Sequence, residues 1–140
     1  MTDATEGDIR TLLDAETIAV VGCSATPGKA AHDVPAYLQR QGYEIVPVNP
    51  HRDEVLGREA ADSLADVSER VDLVDVFRPS EEVSGIVDAV IERVEGRGDV
   101  QGLWLQLGIR DDAAAARARD AGLTVVQDRC LKVEHGRLQG

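Results

Sequence analysis

The stretch Ile18-Ala19-Val20-Val21-Gly22-Cys23-Ser24-Ala25-Thr26-Pro27-Gly28-Lys29 constrains this chain more than any other. A short apolar run rich in β-branched residues reads as a buried parallel strand. It breaks at Gly22 into small polar residues before a helical pattern opens at about Ala31. Strand, tight turn and helix in that order form the first part of a βαβ unit. The first N–H groups of a helix have no partner inside it and lie at the positive end of its dipole. Such a turn can seat a pyrophosphate, so the reading starts from a nucleotide-bearing ligand at this loop.

The remaining segments extend the same pattern. Ile9, Leu12 and Leu13 at helical spacing predict a short leading helix over 8–14. The helix after the loop carries Val34, Tyr37 and Leu38 on one side and closes at Gly42. Further strands are predicted at 44–48, 71–77, 103–107 and 124–126, with Val55-Leu56-Gly57 as a short extended piece and a turn of helix near Ser63-Leu64. The 71–77 strand carries two acids, Asp72 and Asp75, and is expected near a sheet edge for that reason. Pro79 stops it and Ser80 is the expected N-cap of an amphipathic helix running through Val83, Val87, Val90 and Val94. An alanine-rich helix runs from Asp111 to Gly122, and the tail from Asp128 to His135 is expected to form one more turn or a short helix.

Five strands alternating with helices predict one α/β domain over residues 1–140, core at about 12–138. The expected fold is a three-layer, Rossmann-like, doubly wound parallel sheet with right-handed crossovers. Ligands in such sheets sit beyond the carboxyl ends of the strands at the switch point. Gly22 to Lys29, Pro47 to Pro50, Phe77 to Pro79 and Gln106 to Ile109 all fall there.

The loop departs from two familiar phosphate motifs. A Walker loop needs four residues between its glycines and a hydroxyl after the lysine, but here five separate Gly22 from Gly28 and Ala30 follows Lys29. In the dinucleotide fingerprint the second and third glycines are replaced by Ser24 and Pro27. The second strand ends in Asn49 rather than an acid for the ribose, which disfavours NAD.

Charge excludes other classes. At net −11 the chain lacks the basic face that a nucleic-acid backbone needs. No apolar run approaches the roughly 18 residues of a membrane span, so a soluble, cytoplasmic protein is expected. Lys29 and Lys132 are the only lysines among 15 basic residues, against 26 acids, a balance resembling proteins of salt-loving archaea. A polyanionic ligand must then be met by local cations against an unfavourable overall field. Cys23 and Cys130 lie far apart with no secretory context, so no disulfide is expected.

Val21-Gly22-Cys23-Ser24, Gly42-Tyr43 with Pro47-Val48-Asn49-Pro50, Val74-Asp75-Val76-Phe77-Arg78-Pro79, Trp104-Leu105-Gln106-Leu107-Gly108-Ile109, and Asp128-Arg129-Cys130-Leu131-Lys132 followed by His135 resemble the stand-alone CoA-binding domain proteins. The likeness runs from about Leu12 to Leu138. That family is similar to the nucleotide-binding half of the succinyl-CoA synthetase alpha subunit, whose phosphohistidine-bearing domain has no counterpart here. The resemblance implies a Rossmann-like fold that binds coenzyme A or an acyl-CoA without an assigned reaction. It implies that the backbone of Gly22, Cys23 and Ser24 cradles the pyrophosphate, with Lys29 against a phosphate. Pro47, Asn49 and Pro50 would line the nucleotide end, Phe77, Arg78 and Pro79 the facing wall, and Gln106, Leu107, Gly108 and Ile109 the pantetheine arm. Relatives carry Ser or Thr early in the helix where this chain has Ala30 and Ala31.

Several residues admit plainer readings. Lys29 and Arg78 are phosphate contacts or solvated surface charges, with His51, Arg52 and Arg110 as weaker candidates of the same kind. Trp104 is read as core on a central strand. Cys23 is either a redox thiol activated at a helix N-terminus or a small residue required by sterics. Cys130 and His135 are too few ligands for a metal, and no Ser/His/Asp arrangement stands out. The competing functions are an NAD(P)- or acyl-CoA-dependent enzyme using the same crevice, and an interaction module that keeps the fold with an empty nucleotide site.

Overall fold

The computed structural model describes residues 4–139. In chain order these form α1 (Glu6–Leu13), β1 (Thr17–Val21), α2 (Ala30–Arg40), β2 (Glu44–Val48), the minimal strands β3 (Glu54–Val55) and β4 (Arg58–Glu59), β5 (Leu73–Val76), α3 (Val83–Arg97), β6 (Gly102–Leu105), α4 (Asp112–Asp120), β7 (Thr124–Val126) and α5 (Leu131–Leu138). The main sheet has five strands in the order β2-β1-β5-β6-β7, all parallel. Helices α1, α2 and α5 cover one face and α3 and α4 the other, each over its own apolar cluster.

Local chemistry explains the element ends. Helix α1 opens on a capping box, Thr5 Oγ1 accepting from the Asp8 N–H and Asp8 Oδ2 from the Thr5 N–H, both at 3.0 Å. Of residues 55–57, expected as an extended piece, Val55 belongs to β3, whereas Leu56 and Gly57, at φ 56° and 74°, form the turn into β4. Ser80 does not cap α3. It sits in a 3₁₀ turn, Ser80–Glu82, and its hydroxyl accepts from the Arg110 N–H, so α3 begins at Val83.

The strand expected at an edge is central: β5 lies between β1 and β6. Its two acids explain the misplacement differently. Asp72 sits just before the strand, where Oδ2 accepts from the Glu16 and Thr17 N–H groups at 3.0 Å and ties the entries of β1 and β5 together. Asp75 is inside the strand and fully buried, in register with Val20 on one side and Trp104 on the other.

This order puts the reversal of winding between β1 and β5. The chain leaves β2 on one side of β1 and returns as β5 on the other. The crevice that opens there is where α/β sheets of this kind receive ligands.

Candidate functional site

The loop after β1 is built by its own hydrogen bonds. Pro35 lies inside α2 and has no N–H to give the Ala31 carbonyl; the Ser24 N–H supplies that bond instead at 2.9 Å. Ser24 Oγ accepts from the Thr26 N–H, Asp33 Oδ1 from the Gly28 N–H, and Asn49 Nδ2 donates to the Cys23 carbonyl at 2.9 Å. The Gly22 N–H continues the ladder to the Val48 carbonyl. Gly22 and Ser24, two residues whose backbones were expected to hold a pyrophosphate, therefore use their N–H groups within the fold. Among the described residues the amides of Cys23, Ala25, Ala30 and Ala31 have no protein acceptor. Cys23 is fully buried, so the donors the loop offers an anion are those of Ala25, Ala30 and Ala31.

Gly22 is required by geometry. Its φ is +85°, and a Cβ there would stand 2.8 Å from Arg78 Cδ and 3.1 Å from the Phe77 carbonyl oxygen. The Arg78 side chain thus lies directly over the loop.

A cleft of about 840 Å³ opens beside the loop, its floor formed by Val21 and Val48 at the carboxyl ends of β1 and β2. Gly22, Cys23, Ser24, Lys29, Asn49, Pro50 and Arg78 all line it. The other sequence-predicted residues lie elsewhere. Pro47 is buried within β2, Phe77 packs toward the α1/α2/α5 side, and Ile109 packs toward the α3/α4 side. Gln106 is buried and its Oε1 accepts from the Leu131 N–H, while the Gly108 N–H donates to Asp128 Oδ1. Leu107 is 71% exposed, and Pro79 is also exposed, outside the cleft lining.

The sequence reading missed the far walls. One is Asp62, Ser63 and Leu64; the other comprises Glu81, Glu82, Gly85, Ile86 and Ala89. The first is carried on an irregular segment that pairs along β2, the Ala61 N–H donating to the Pro47 carbonyl and the Asn49 N–H to that of Ala61. No residue pattern announces such pairing. Arg93 holds the same segment from behind, donating to the carbonyls of Leu64, Val67 and Glu69. Its guanidinium also meets Asp99 inside the core. Burial alone would push the Asp99 carboxyl up, but Arg93 and the Val71 N–H outweigh it and hold Asp99 below the usual range.

The cleft is electrostatically mixed. Lys29 is exposed at the N-cap of α2. Arg78 is engaged by Glu82, Nε to Oε1 at 3.1 Å and Nη2 to Oε2 at 2.7 Å. That bidentate contact keeps the Glu82 carboxyl below its ordinary range. Asp62, Glu81 and Glu82 line the same space as these two cations.

Beneath the loop sits a buried acid and a buried thiol. Both oxygens of Asp75 lack a hydrogen-bond partner, and burial pushes its carboxyl well above the ordinary value. Cys23 is fully buried; desolvation, reinforced by Asp75 when that group is ionised, pushes its thiol up to about 12. The redox reading needs a lowered pKa and access, and Cys23 has neither. Cys23 and Cys130 are free thiols. His135 is enclosed by rings, Nδ1 at 2.8 Å from Tyr37 Oη and both tyrosines edge-on to it. Trp104 is fully buried with Nε1 donating to the Arg129 carbonyl, as expected of a core residue. Among the described residues no three His, Cys, Asp or Glu side chains group as a metal site, and no helix is long and apolar enough to cross a membrane.

The family model described as a CoA binding domain matches residues 16–136. An uncharacterised Bacillus subtilis protein, YneT, is 37% identical over 136 residues, covering 96% of this chain and 97% of that protein. The ADP-forming acetate–CoA ligase II of Archaeoglobus fulgidus is 31% identical over 87 residues, which are 61% of this chain but 13% of the ligase. A solved structure from Thermus thermophilus superimposes with a TM-score of 0.87 at 42% identity, covering 96% of this chain and 98% of that one.

Proposed function

This chain belongs to the CoA binding domain family, and we propose that it binds coenzyme A or an acyl-CoA in the cleft beside β1 and β2, as a carrier, sensor or regulatory domain rather than a catalyst. One observation carries the reading: the glycine loop, Asn49-Pro50 and Arg78, distant in sequence, line a single cleft at the point where the winding of the sheet reverses. The free amides of Ala25, Ala30 and Ala31 meet the pyrophosphate at the start of α2. Lys29 and Arg78 supply the cations, and the apolar surfaces of Val21, Val48, Ile86 and Ala89 pack against the uncharged parts of the ligand. Asn49 acts through the loop: by holding the Cys23 carbonyl it fixes the turn that carries the Ala25 amide.

Calorimetric titration of CoA, dephospho-CoA, NAD and ATP into the purified protein, at one matched high salt concentration, tests this. CoA is expected to bind most tightly. Loss of Lys29 or Arg78 as alanine should weaken CoA about tenfold, the scale of one charge-assisted phosphate contact. Equal weak binding of all four nucleotides overturns the reading and favours an interaction module.

A further inference from the structure

We propose that Glu82 sets the affinity of the cleft by competing with the ligand's phosphate for Arg78. The inference rests on the CoA reading of the same cleft. Arg78 lies against the glycine loop, its side chain over Gly22. The Nε and Nη2 edge of its guanidinium, the fork that best matches two oxygens of a phosphate, is taken by the two oxygens of Glu82. Both side chains are half exposed, at 46% and 45%, and both line the cleft. An exposed pair of this kind exchanges partners at small free-energy cost. The two residues stand four apart across the 3₁₀ turn leading into α3, which keeps the carboxylate beside the guanidinium and beside any phosphate that reaches it. An arriving phosphate therefore displaces Glu82 and also meets its charge.

The test uses wild-type protein, Glu82→Gln, Glu81→Gln, Arg78→Ala and the Glu82→Gln/Arg78→Ala pair, each titrated with CoA and separately with inorganic pyrophosphate. Glu81 lines the same cleft but makes no hydrogen bond among the described residues, so its neutralisation reports the general field alone. Glu82→Gln should tighten both ligands by roughly three- to tenfold, clearly more than Glu81→Gln, and the gain should vanish when Arg78 is also removed. Circular dichroism confirms the fold of each variant, and exposed Glu82 tolerates the isosteric change.

Weaker binding by Glu82→Gln overturns the proposal, because Glu82 would then be holding Arg78 in place for the ligand. Equal gains from Glu81→Gln and Glu82→Gln overturn it in favour of a diffuse field. If CoA binds no variant while pyrophosphate binds Glu82→Gln more tightly, the competition stands and the CoA reading falls. If CoA binds wild type and Glu82→Gln alike, the reading stands and the competition falls. Absence of binding by either ligand to any variant ends both.

Discussion

Replacing Asp75 with valine should stabilise this protein, and by an amount that grows with pH. The carboxyl lies fully buried on the central strand with neither oxygen hydrogen-bonded. In the fold it keeps its proton well above the ordinary value of 3.8, whereas the unfolded chain releases it near that value. Between the two, the native state holds more protons than the unfolded state, so stability falls as pH rises. The slope is about 1.4 kcal/mol per pH unit and ends where pH passes the folded value. Valine carries no proton and fits a buried β-strand. It also removes the desolvation of a carboxyl group without partners, worth about 1–3 kcal/mol at any pH. From pH 4.5 upward, as far as the folded value, the gap between Asp75→Val and wild type should widen at that slope.

Urea denaturation at pH 4.5, 5.5 and 6.5 and constant ionic strength measures this directly. Trp104, the sole tryptophan, is in register with Asp75 and reports the unfolding by fluorescence. Asp75→Asn separates the two contributions, because it keeps a buried polar group but loses the titration. Its gap from wild type should widen with the same slope from a lower starting value. A stability gap for both variants that stays flat across the three pH values refutes the argument, since the native carboxyl would then ionise like an exposed one.

Three other perturbations follow from the same contacts. Gly22→Ala forces a side chain onto a φ of +85° against Arg78 and the Phe77 carbonyl. It should cost about 1–3 kcal/mol in urea denaturation and weaken CoA at least as much as Arg78→Ala; unchanged stability would contradict the geometry. Arg93→Ala leaves Asp99 buried without its partner and frees three carbonyls behind the cleft wall. A loss of about 3–5 kcal/mol is expected in the same assay, and a loss below 1 kcal/mol would show the pair to be dispensable. With a thiol-reactive dye at pH 8 the native protein should expose one reactive cysteine, Cys130, and show two only after unfolding. Rapid labelling of both in the native state would contradict a Cys23 thiol pushed up to about 12.

Much of the architecture was legible because parallel strands, helix stops and glycine turns leave local marks. The five strands and the helices between them follow from apolar runs and from Gly22, Gly42, Pro79 and Gly122. Legibility fails where a residue's role depends on a partner far along the chain. The helix over Pro35 was read correctly, but what lets it run through a proline was not: the Ser24 N–H, eleven residues upstream of Pro35, takes the carbonyl that Pro35 leaves free. Asn49 reads as a ligand contact at a strand end; it lines the cleft, and what the reading missed is that its amide also ties the Cys23 carbonyl and the His51 N–H into one corner. The Arg78–Glu82 pair escaped the reading for the same kind of reason: Arg78 precedes Pro79 and the pair closes across the 3₁₀ turn Ser80–Glu82, where helical spacing is no guide.

The misplacement of β5 has the most informative cause. A buried central strand is expected to be apolar on both faces, and Asp75 violates that rule without any compensating hydrogen bond. Departures of this kind concentrate where a fold serves something besides its own stability. Asp75 lies under the loop, close enough for its charge to bear on the Cys23 thiol. Gly22 at its positive φ, the orphaned carboxyl and the open amides thus occupy one corner of the molecule, on either side of the β1–β5 switch point. If the valine variant gained stability and bound CoA as wild type does, Asp75 would be a burden on the core alone; a gain in stability with weaker binding would tie the buried acid to the loop above it.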